Sequence, residues 1–167
     1  PAASSILQHA QRVLDTEAAA LAKLATQLPP DFQAATEVML ACQGRVIVSG
    51  VGKSGHIGRK IAATFASTGT PSYFIHATEA SHGDLGMIGP QDLCLLISNS
   101  GETAELKDMI AHTRRFSIPM AEISSNGAST LSKAANFKLT LPDAPEACPI
   151  GLAPTTSTTM ALALGDA

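Results

Sequence analysis

Two kinds of hydrophobic pattern divide the chain. At its start, apolar residues recur every three or four positions within Ser4–Gln27 and again from Phe32 to Cys42. This spacing is typical of helices that bury one face, and a pair of prolines separates the two segments. We therefore predict a helical hairpin over residues 1–44, with Asp31 as the cap of its second helix and Gly44 as the end of that helix.

After the hairpin, short runs of β-branched and aliphatic residues alternate with helical segments. The predicted strands are Val46–Ser49, Ser72–His76, Asp92–Ser98, Met120–Ser124 and Phe137–Leu141. The helices predicted between them are His56–Ser67, Thr103–Phe116 and Thr130–Ala135. Strands that are apolar on both faces and alternate with helices indicate a parallel sheet covered on both sides. We therefore expect an α/β fold: a three-layer αβα sandwich with a five-stranded parallel sheet over residues 45–167, the whole chain being one domain.

Small hydroxyl residues and glycines follow two of the predicted strands, at Ser49–Gly50 and at Ser98–Thr103. In parallel sheets ligands bind beyond the carboxyl ends of the strands, and the free N–H groups at a helix start favour an anion. The hydroxyls of Ser98, Ser100 and Thr103 exceed what an N-cap needs, since Ser100 alone would serve. The two turns therefore predict a site for a phosphorylated small molecule.

The first of these turns, Gly50–Gly55, matches the G-x-G-x-x-G pattern of dinucleotide-binding proteins. That pattern also needs an acidic residue at the end of the second strand, where this chain has His76. A P-loop is disfavoured as well, because its first glycine would fall at Ile47. We therefore expect no bound nucleotide, and the turn instead presents Lys53 at its tip, next to Ser54.

The composition of the chain indicates one globular domain and argues against several kinds of partner. The chain has 167 residues, of which 45% are hydrophobic and 15% charged, enough for one buried core. A net charge of −3 and a pI near 5.9 give no reason to expect nucleic acid or an anionic membrane as a partner. No run approaches the about 20 apolar residues of a membrane span, and no signal peptide is evident, so we expect a cytoplasmic protein. The three separated cysteines indicate neither a disulfide framework nor a zinc site.

Acid–base candidates cluster near the predicted carboxyl ends of the strands. The histidines His56, His76 and His82 suggest a metal site, but their spacing is not that of a zinc pattern. An acid or base role for His82 is the other interpretation, because imidazole exchanges protons near neutral pH. Glu102 and Glu105 stand in the first turn of a predicted helix, where they either complement the helix dipole or carry a proton beside the phosphate site.

The turn Ser98–Thr103 resembles the phosphosugar signature of sugar isomerase (SIS) domains. Longer segments resemble the arabinose 5-phosphate isomerases, a family built on that domain: Gly50–Lys60, Ala66–Pro71, Glu79–Met87 and Glu146–Thr159. The resemblance covers the chain from Arg45 onward and, more loosely, the leading helices. It implies that the predicted sandwich has the SIS fold.

The resemblance further implies an aldose–ketose isomerase that interconverts D-ribulose 5-phosphate and D-arabinose 5-phosphate through an enediol(ate), for Kdo and lipopolysaccharide synthesis. It also implies a homotetramer without a cofactor or a bound metal. The alternative is a non-catalytic SIS domain that binds a sugar phosphate in a regulatory protein. We favour the enzyme, since no basic recognition helix is evident and a sensor does not need Lys53, Glu105 and Glu146 together.

The resemblance also assigns roles to individual residues. The substrate-binding positions match Ser49, Gly50, Ser54, Ser98, Ser100, Thr103, Thr155 and Thr158, and the catalytic positions match Lys53, Glu105, Glu146 and His82. The family's His-Pro-Gly-Gly segment, which carries a proposed catalytic histidine, and its pair of CBS modules are not in this sequence. The chain starts at Pro1 rather than Met and stops at Ala167 within a predicted helix, so we expect the isolated catalytic domain of a longer protein.

The chemistry of isomerisation supports these roles. Moving a proton between C1 and C2 needs a base, and a carboxylate in a partly buried loop, such as Glu146, can have its pKa raised toward that task. Lys53 would stabilise the negative charge that develops on the enediolate. His82, or the family's further histidine, would move the proton between O1 and O2 or open the sugar ring. In this interpretation Ser54 is a supporting phosphate contact.

Overall fold

The computed structural model describes residues 3–167 of the chain. The strands are β1 (Val46–Gly50), β2 (Ser72–His76), β3 (Leu93–Ile97), β4 (Met120–Ser124) and β5 (Phe137–Thr140). The α-helices are α1 (Ala3–Thr26), α2 (Phe32–Ala41), α3 (Gly52–Ser67), α4 (Ala77–Ser81), α5 (Lys107–Arg115), α6 (Thr130–Ala134) and α7 (Thr156–Asp166). Two 3₁₀ turns, Asp84–Met87 and Ala104–Leu106, precede β3 and α5.

The strands form one sheet in the order β2-β1-β3-β4-β5, and every neighbouring pair is parallel. All residues of β1, β3 and β4 are buried, as expected of strands covered on both faces. Val46 and Val48 belong to the core shared with α1, α2, α3 and α7, whereas Ile47 belongs to the core shared with α4, α5 and α6. The predicted three-layer sandwich with a five-stranded parallel sheet is confirmed.

The two leading helices pack on different parts of this sandwich. Helix α1 lies along α7, where Glu17 Oε2 accepts a 3.2 Å hydrogen bond from Thr159 Oγ1, and α2 lies beside β5. Asp31 precedes α2, but its carboxylate does not cap the helix and instead accepts a 2.8 Å hydrogen bond from the Lys138 amide of β5. Asp31 thus satisfies a main-chain group of an edge strand, which would otherwise be open to pairing.

The apolar stripe predicted on α1 is buried only in the second half of the helix. Ala20 and Leu24 are buried against the sandwich, whereas Ile6, Leu7 and Leu14 are 60%, 71% and 64% exposed. The first half of α1 therefore presents apolar side chains to solvent, which is typical of an association surface. None of the helices within residues 3–167 has both the length and the apolar composition needed to cross a membrane.

The start of α3 and the end of α2 differ from the prediction, and glycines near both are required by close contacts with other segments. Helix α3 begins at Gly52, four residues before the predicted start. A Cβ atom on Gly55 would lie 2.9 Å from the carbonyl oxygen of Gly50, so only glycine lets α3 start this close to β1. Helix α2 ends at Ala41, three residues before Gly44, so Gly44 is not the residue that ends the helix. Glycine is needed at position 44 because a Cβ atom there would collide with Gln91 and Asp92.

Two segments between strands differ from the prediction. The helix predicted over residues 103–116 is divided into a 3₁₀ turn and the shorter α5. The connection over residues 77–91, for which no helix was predicted, contains α4 and a 3₁₀ turn. Helix α4 forms because the His76 ring accepts a 3.3 Å hydrogen bond from the Thr78 amide and Ala80 is buried against the sheet.

Candidate functional site

The strand order creates a topological switch point between β1 and β3. The chain leaves β1 toward α3 on one face of the sheet and leaves β3 toward α5 on the other. Gly50 at the end of β1 pairs in register with Ile97 at the end of β3. The turns that follow these strands are therefore adjacent, and ligands of such sheets bind in the crevice that opens there.

The turn after β3, residues 98–103, is organised by its own hydroxyl groups, and we call it the serine turn. Ser98 Oγ lies 2.7 Å from Thr103 Oγ1 and accepts a 3.1 Å hydrogen bond from the Gly101 amide. Ser100 Oγ accepts a 3.2 Å hydrogen bond from the amide two residues on. Gly101 has φ +68°, a conformation that favours glycine. Of the three hydroxyls predicted to bind phosphate, those of Ser98 and Thr103 are thus in contact, and that of Ser100 belongs to the same turn.

Helix α6 holds the serine turn from outside. The Leu131 amide donates a 3.1 Å hydrogen bond to the Gly101 carbonyl, and the Thr130 amide donates one of 2.7 Å to Glu102 Oε1. A Cβ atom on Gly101 would collide with the Ser129 side chain. The hydrogen bonds from Thr130 lower the pKa of Glu102. Glu102 therefore complements the N-terminus of α6 rather than the first turn of α5.

The first turn of α3 follows β1 at the same edge of the sheet. Its second residue, Lys53, is exposed, and Ser54 is half-buried. The short distance between Gly50 and Gly55 keeps this turn against the strand end. Lys53 is therefore a cation at the switch point, free of any ion pair within residues 3–167.

A cleft separates α3 from the start of α7 at this edge. Its polar residues are Ser54 from α3, Asn99 from the serine turn, and Ser157 and Thr158 from α7, and aliphatic side chains form its wall. The cleft is narrow: it has about 30 Å³ of room for the centre of a water-sized group, which suits a single polar group of a ligand rather than a whole sugar phosphate.

Glu146 precedes α7 and is bound to the start of that helix. Its Oε2 accepts hydrogen bonds from Thr155 N at 2.7 Å, from Thr155 Oγ1 at 2.9 Å and from Ser157 N at 3.4 Å. Partial burial acts to raise the pKa of Glu146, but hydrogen bonding to Ser157 and Thr155 outweighs it, and the pKa lies below its ordinary value. The raised pKa expected for this carboxyl is therefore wrong, and Glu146 is ionised at neutral pH.

The remaining predicted residues are spread around the same edge. Ser49 is fully buried, with a hydroxyl that has no hydrogen-bond partner among the described residues, and Gly50 follows it at the strand end. Glu105 is exposed in the 3₁₀ turn before α5. His82 is exposed at the end of α4. Ser54 and Thr158 share the cleft, whereas Ser49, Glu105 and His82 do not line it.

The metal interpretation of the three histidines finds no support in their placement. Within residues 3–167, no three His, Cys, Asp or Glu side chains are arranged to hold a metal ion together. His76 uses its ring to cap α4, while His56 and His82 are exposed on α3 and after α4.

Sequence reasoning missed two residues of the cleft. Asn99 accepts a 2.6 Å hydrogen bond on Oδ1 from Ser125 Oγ, which ties the serine turn to the end of β4. Ser157 contributes the second residue of α7. Asn99 stands between two predicted serines and Ser157 within the threonine-rich run, so membership of those motifs was the available signal.

The fold and the serine turn at its switch point define an α/β domain suited to a small anionic ligand. The SIS domain family matches residues 39–167, and the chain belongs to that family.

Its relatives include isomerases. Arabinose 5-phosphate isomerase KdsD of Yersinia pestis is 54% identical over 160 residues, and KdsD of Pseudomonas aeruginosa is 50% identical over 161 residues. Each match covers 96% of this chain and 49% of the relative, so the chain spans about half the length of the curated relatives it matches. The structure of Escherichia coli CFT073 c3406 in complex with arabinose 5-phosphate is 38% identical, with a TM-score of 0.95 over 99% of this chain and 88% of that one. The resemblance to the arabinose 5-phosphate isomerases is thus confirmed.

Proposed function

We propose that this chain is the catalytic domain of an arabinose 5-phosphate isomerase, which interconverts D-ribulose 5-phosphate and D-arabinose 5-phosphate through an enediol(ate). The observation that carries the proposal is the serine turn beside a cleft that adjoins the Glu146 carboxylate, in a chain 54% identical to a KdsD. Residues 1–44 and 45–167 act as one domain, supported by the packing of α1 on α7 and of α2 on β5.

The serine turn binds the phosphate group of the sugar. The phosphate oxygens accept hydrogen bonds from the hydroxyls of Ser98, Ser100 and Thr103, which are already gathered in the turn. Ser54 adds a hydroxyl from the first turn of α3. A Cβ atom on Gly50 would lie 3.0 Å from the Ile97 carbonyl oxygen and 3.1 Å from the Ser54 carbonyl carbon, so this glycine lets the end of β3 and the first turn of α3 come together at the site. Thr158 contributes from the opposite wall of the cleft.

Glu146 is the base of the isomerisation. As a carboxylate it takes the proton from the carbon beside the carbonyl and returns it to the neighbouring carbon, with the enediolate as the intermediate. Thr155 positions the carboxylate through two hydrogen bonds. The Lys53 ammonium stabilises the negative charge that is present on the enediolate and absent in the sugar. Glu105 and His82 move protons between O1 and O2 or open the sugar ring.

The exposed apolar half of α1 supports self-association. Its side chains Ile6, Leu7 and Leu14 are largely exposed within one chain. Packing them against a second copy would remove this apolar surface from water, which is favourable. We therefore propose a homotetramer in which α1 lies at an interface. We also propose a cytoplasmic enzyme that serves Kdo and lipopolysaccharide synthesis, as the likeness to KdsD implies.

The test is a direct assay of the intact protein with D-ribulose 5-phosphate, following the appearance of D-arabinose 5-phosphate by NMR. We expect an equilibrium mixture of the two sugars without added cofactor. Binding of the sugar phosphate with no turnover would refute the proposal and favour a regulatory SIS domain.

Two substitutions test the roles in the mechanism. Lys53→Ala and Glu146→Gln should each reduce kcat about 100-fold or more while circular dichroism is unchanged. General-base catalysis, the role of Glu146, contributes about 10²–10⁴-fold, and removing a group that stabilises an oxyanion, the role of Lys53, costs about 10²–10³-fold. Retention of full activity by both variants would show that this mechanism is wrong. Lys107→Ala, on the exposed side of α5, is the matched control and should keep the activity.

A further inference from the structure

Ser157 carries a buried hydroxyl that makes no well-formed hydrogen bond. The residue is only 7% exposed, and its Oγ has no hydrogen-bond partner within residues 3–167. Leaving a buried hydroxyl unpaired costs about 1–3 kcal/mol. Such a cost at a cleft is typical of a group kept for a ligand rather than for stability.

The position of Ser157 relates this hydroxyl to the candidate base. The Ser157 amide lies 3.4 Å from Glu146 Oε2, and the residue lines the cleft together with Ser54, Asn99 and Thr158. The neighbouring Thr155 and Thr158 hydroxyls are already engaged, the first with Glu146 and the second with the Thr155 carbonyl at 2.8 Å. Of these three hydroxyls at the start of α7, only the one on Ser157 lacks a well-formed hydrogen bond, although it lies near enough to the Glu146 carboxylate to help lower its pKa.

We propose that the Ser157 hydroxyl donates a hydrogen bond to the oxygen of the reacting carbons, and so stabilises the enediolate next to the Glu146 base. This assignment rests on the proposed isomerase function and adds to it a catalytic residue. The hydroxyl keeps its proton throughout, and no bond to Ser157 Oγ is made or broken. A neutral donor placed where negative charge develops accelerates the reaction without attracting the ground-state sugar strongly.

The experiment compares Ser157→Ala with the wild-type protein in the intact enzyme. We expect kcat to fall about 100-fold, the lower end of the loss on removing an oxyanion-hole donor, with little change in KM. The inhibition constant of inorganic phosphate should stay the same, because the proposal places Ser157 at the reacting carbons and not at the phosphate group. The midpoint of thermal unfolding should stay the same or rise, since the variant no longer buries an unpaired hydroxyl.

Thr159→Val is the matched control. It removes a hydroxyl from the same helix, but this one bonds Glu17 of α1 and lies away from the cleft. It should keep the wild-type kcat.

Each other outcome overturns the assignment in a distinct way. An unchanged kcat for Ser157→Ala would show that the hydroxyl is a packing defect, and a joint fall of kcat and the unfolding midpoint would show a structural role. Weaker phosphate inhibition with an unchanged kcat would place Ser157 at the phosphate instead. Absence of isomerase activity in the wild-type protein would refute the proposed function itself, and this assignment with it.

Discussion

Replacing Gly101 with alanine tests whether the serine turn depends on its contact with α6. Gly101 has φ +68°, and a left-handed conformation costs an alanine about 1–2 kcal/mol. The added Cβ would also collide with Ser129, and forcing an atom into a packed site costs about 1–3 kcal/mol. The two effects together predict a loss of about 2–5 kcal/mol in the free energy of unfolding.

Gly151→Ala separates the two effects. Gly151 has almost the same φ, +65°, but a Cβ atom there meets nothing within 4 Å. The control should therefore lose only the conformational part, about 1–2 kcal/mol.

Thermal unfolding and steady-state kinetics measure the outcome. At about 2–4 °C per kcal/mol, a loss of 3 kcal/mol (roughly the middle of the range) lowers the midpoint by about 6–12 °C. KM for the sugar phosphate should rise in Gly101→Ala, because the turn must move away from Ser129 and its hydroxyls no longer converge. Equal destabilisation of the two glycine variants, together with an unchanged KM in Gly101→Ala, would refute the role given to α6.

Three further predictions concern two carboxyls and the exposed helix. Glu122 is fully buried on β4, its Oε1 accepts a 2.6 Å hydrogen bond from Ser132, and burial raises its pKa. The stability that the protonated carboxyl contributes is therefore lost as pH rises through the raised pKa. Glu122→Gln, which stays neutral, should raise the free energy of unfolding in urea more at pH 8 than at pH 4. The same change in that free energy at both pH values would contradict the prediction. The lowered pKa of Glu146 has the opposite effect on stability. The stability that its carboxylate contributes is present above the ordinary pKa and is lost as pH falls through the lowered pKa. The loss of unfolding free energy caused by Glu146→Gln should therefore shrink on acidification, and a loss that is the same at every pH would disprove this. Leu14→Glu should reduce the molar mass measured by sedimentation, whereas Leu40→Glu, at a comparably exposed residue of α2, should not; an unchanged mass in Leu14→Glu would exclude α1 from the interface.

Most of the fold follows from local patterns in the sequence. The buried strands β1, β3 and β4 are nearly continuous apolar runs, and such runs separated by helices have few solutions other than a covered parallel sheet. Local patterns were less informative for α4, whose five residues resemble a loop until His76 caps them. They also missed the start of α3, where glycine is required by the contact with β1.

The sequence predicted the serine turn of the site but not the direction of the pKa shift of Glu146. The serine turn stands out because its hydroxyls are close in sequence, and their convergence needs only one turn. The pKa of Glu146 was expected in the wrong direction, because the opposing hydrogen bonds come from residues after position 154. The sequence predicted the partial burial of Glu146 but not the number of hydrogen-bond donors around its carboxylate.

The sequence by itself determined the alternation of strands and helices, the hydroxyl-rich turn after β3 and the lysine after β1, because each depends on residues near one another along the chain. Tertiary structure alone decided how these parts meet. The strand order made β1 and β3 neighbours, the contact between α6 and Gly101 held the serine turn, and the start of α7 lowered the pKa of Glu146 and left the Ser157 hydroxyl without a well-formed hydrogen bond. These properties depend on how separate segments are placed in space, and hydrophobic periodicity carries no information about that placement.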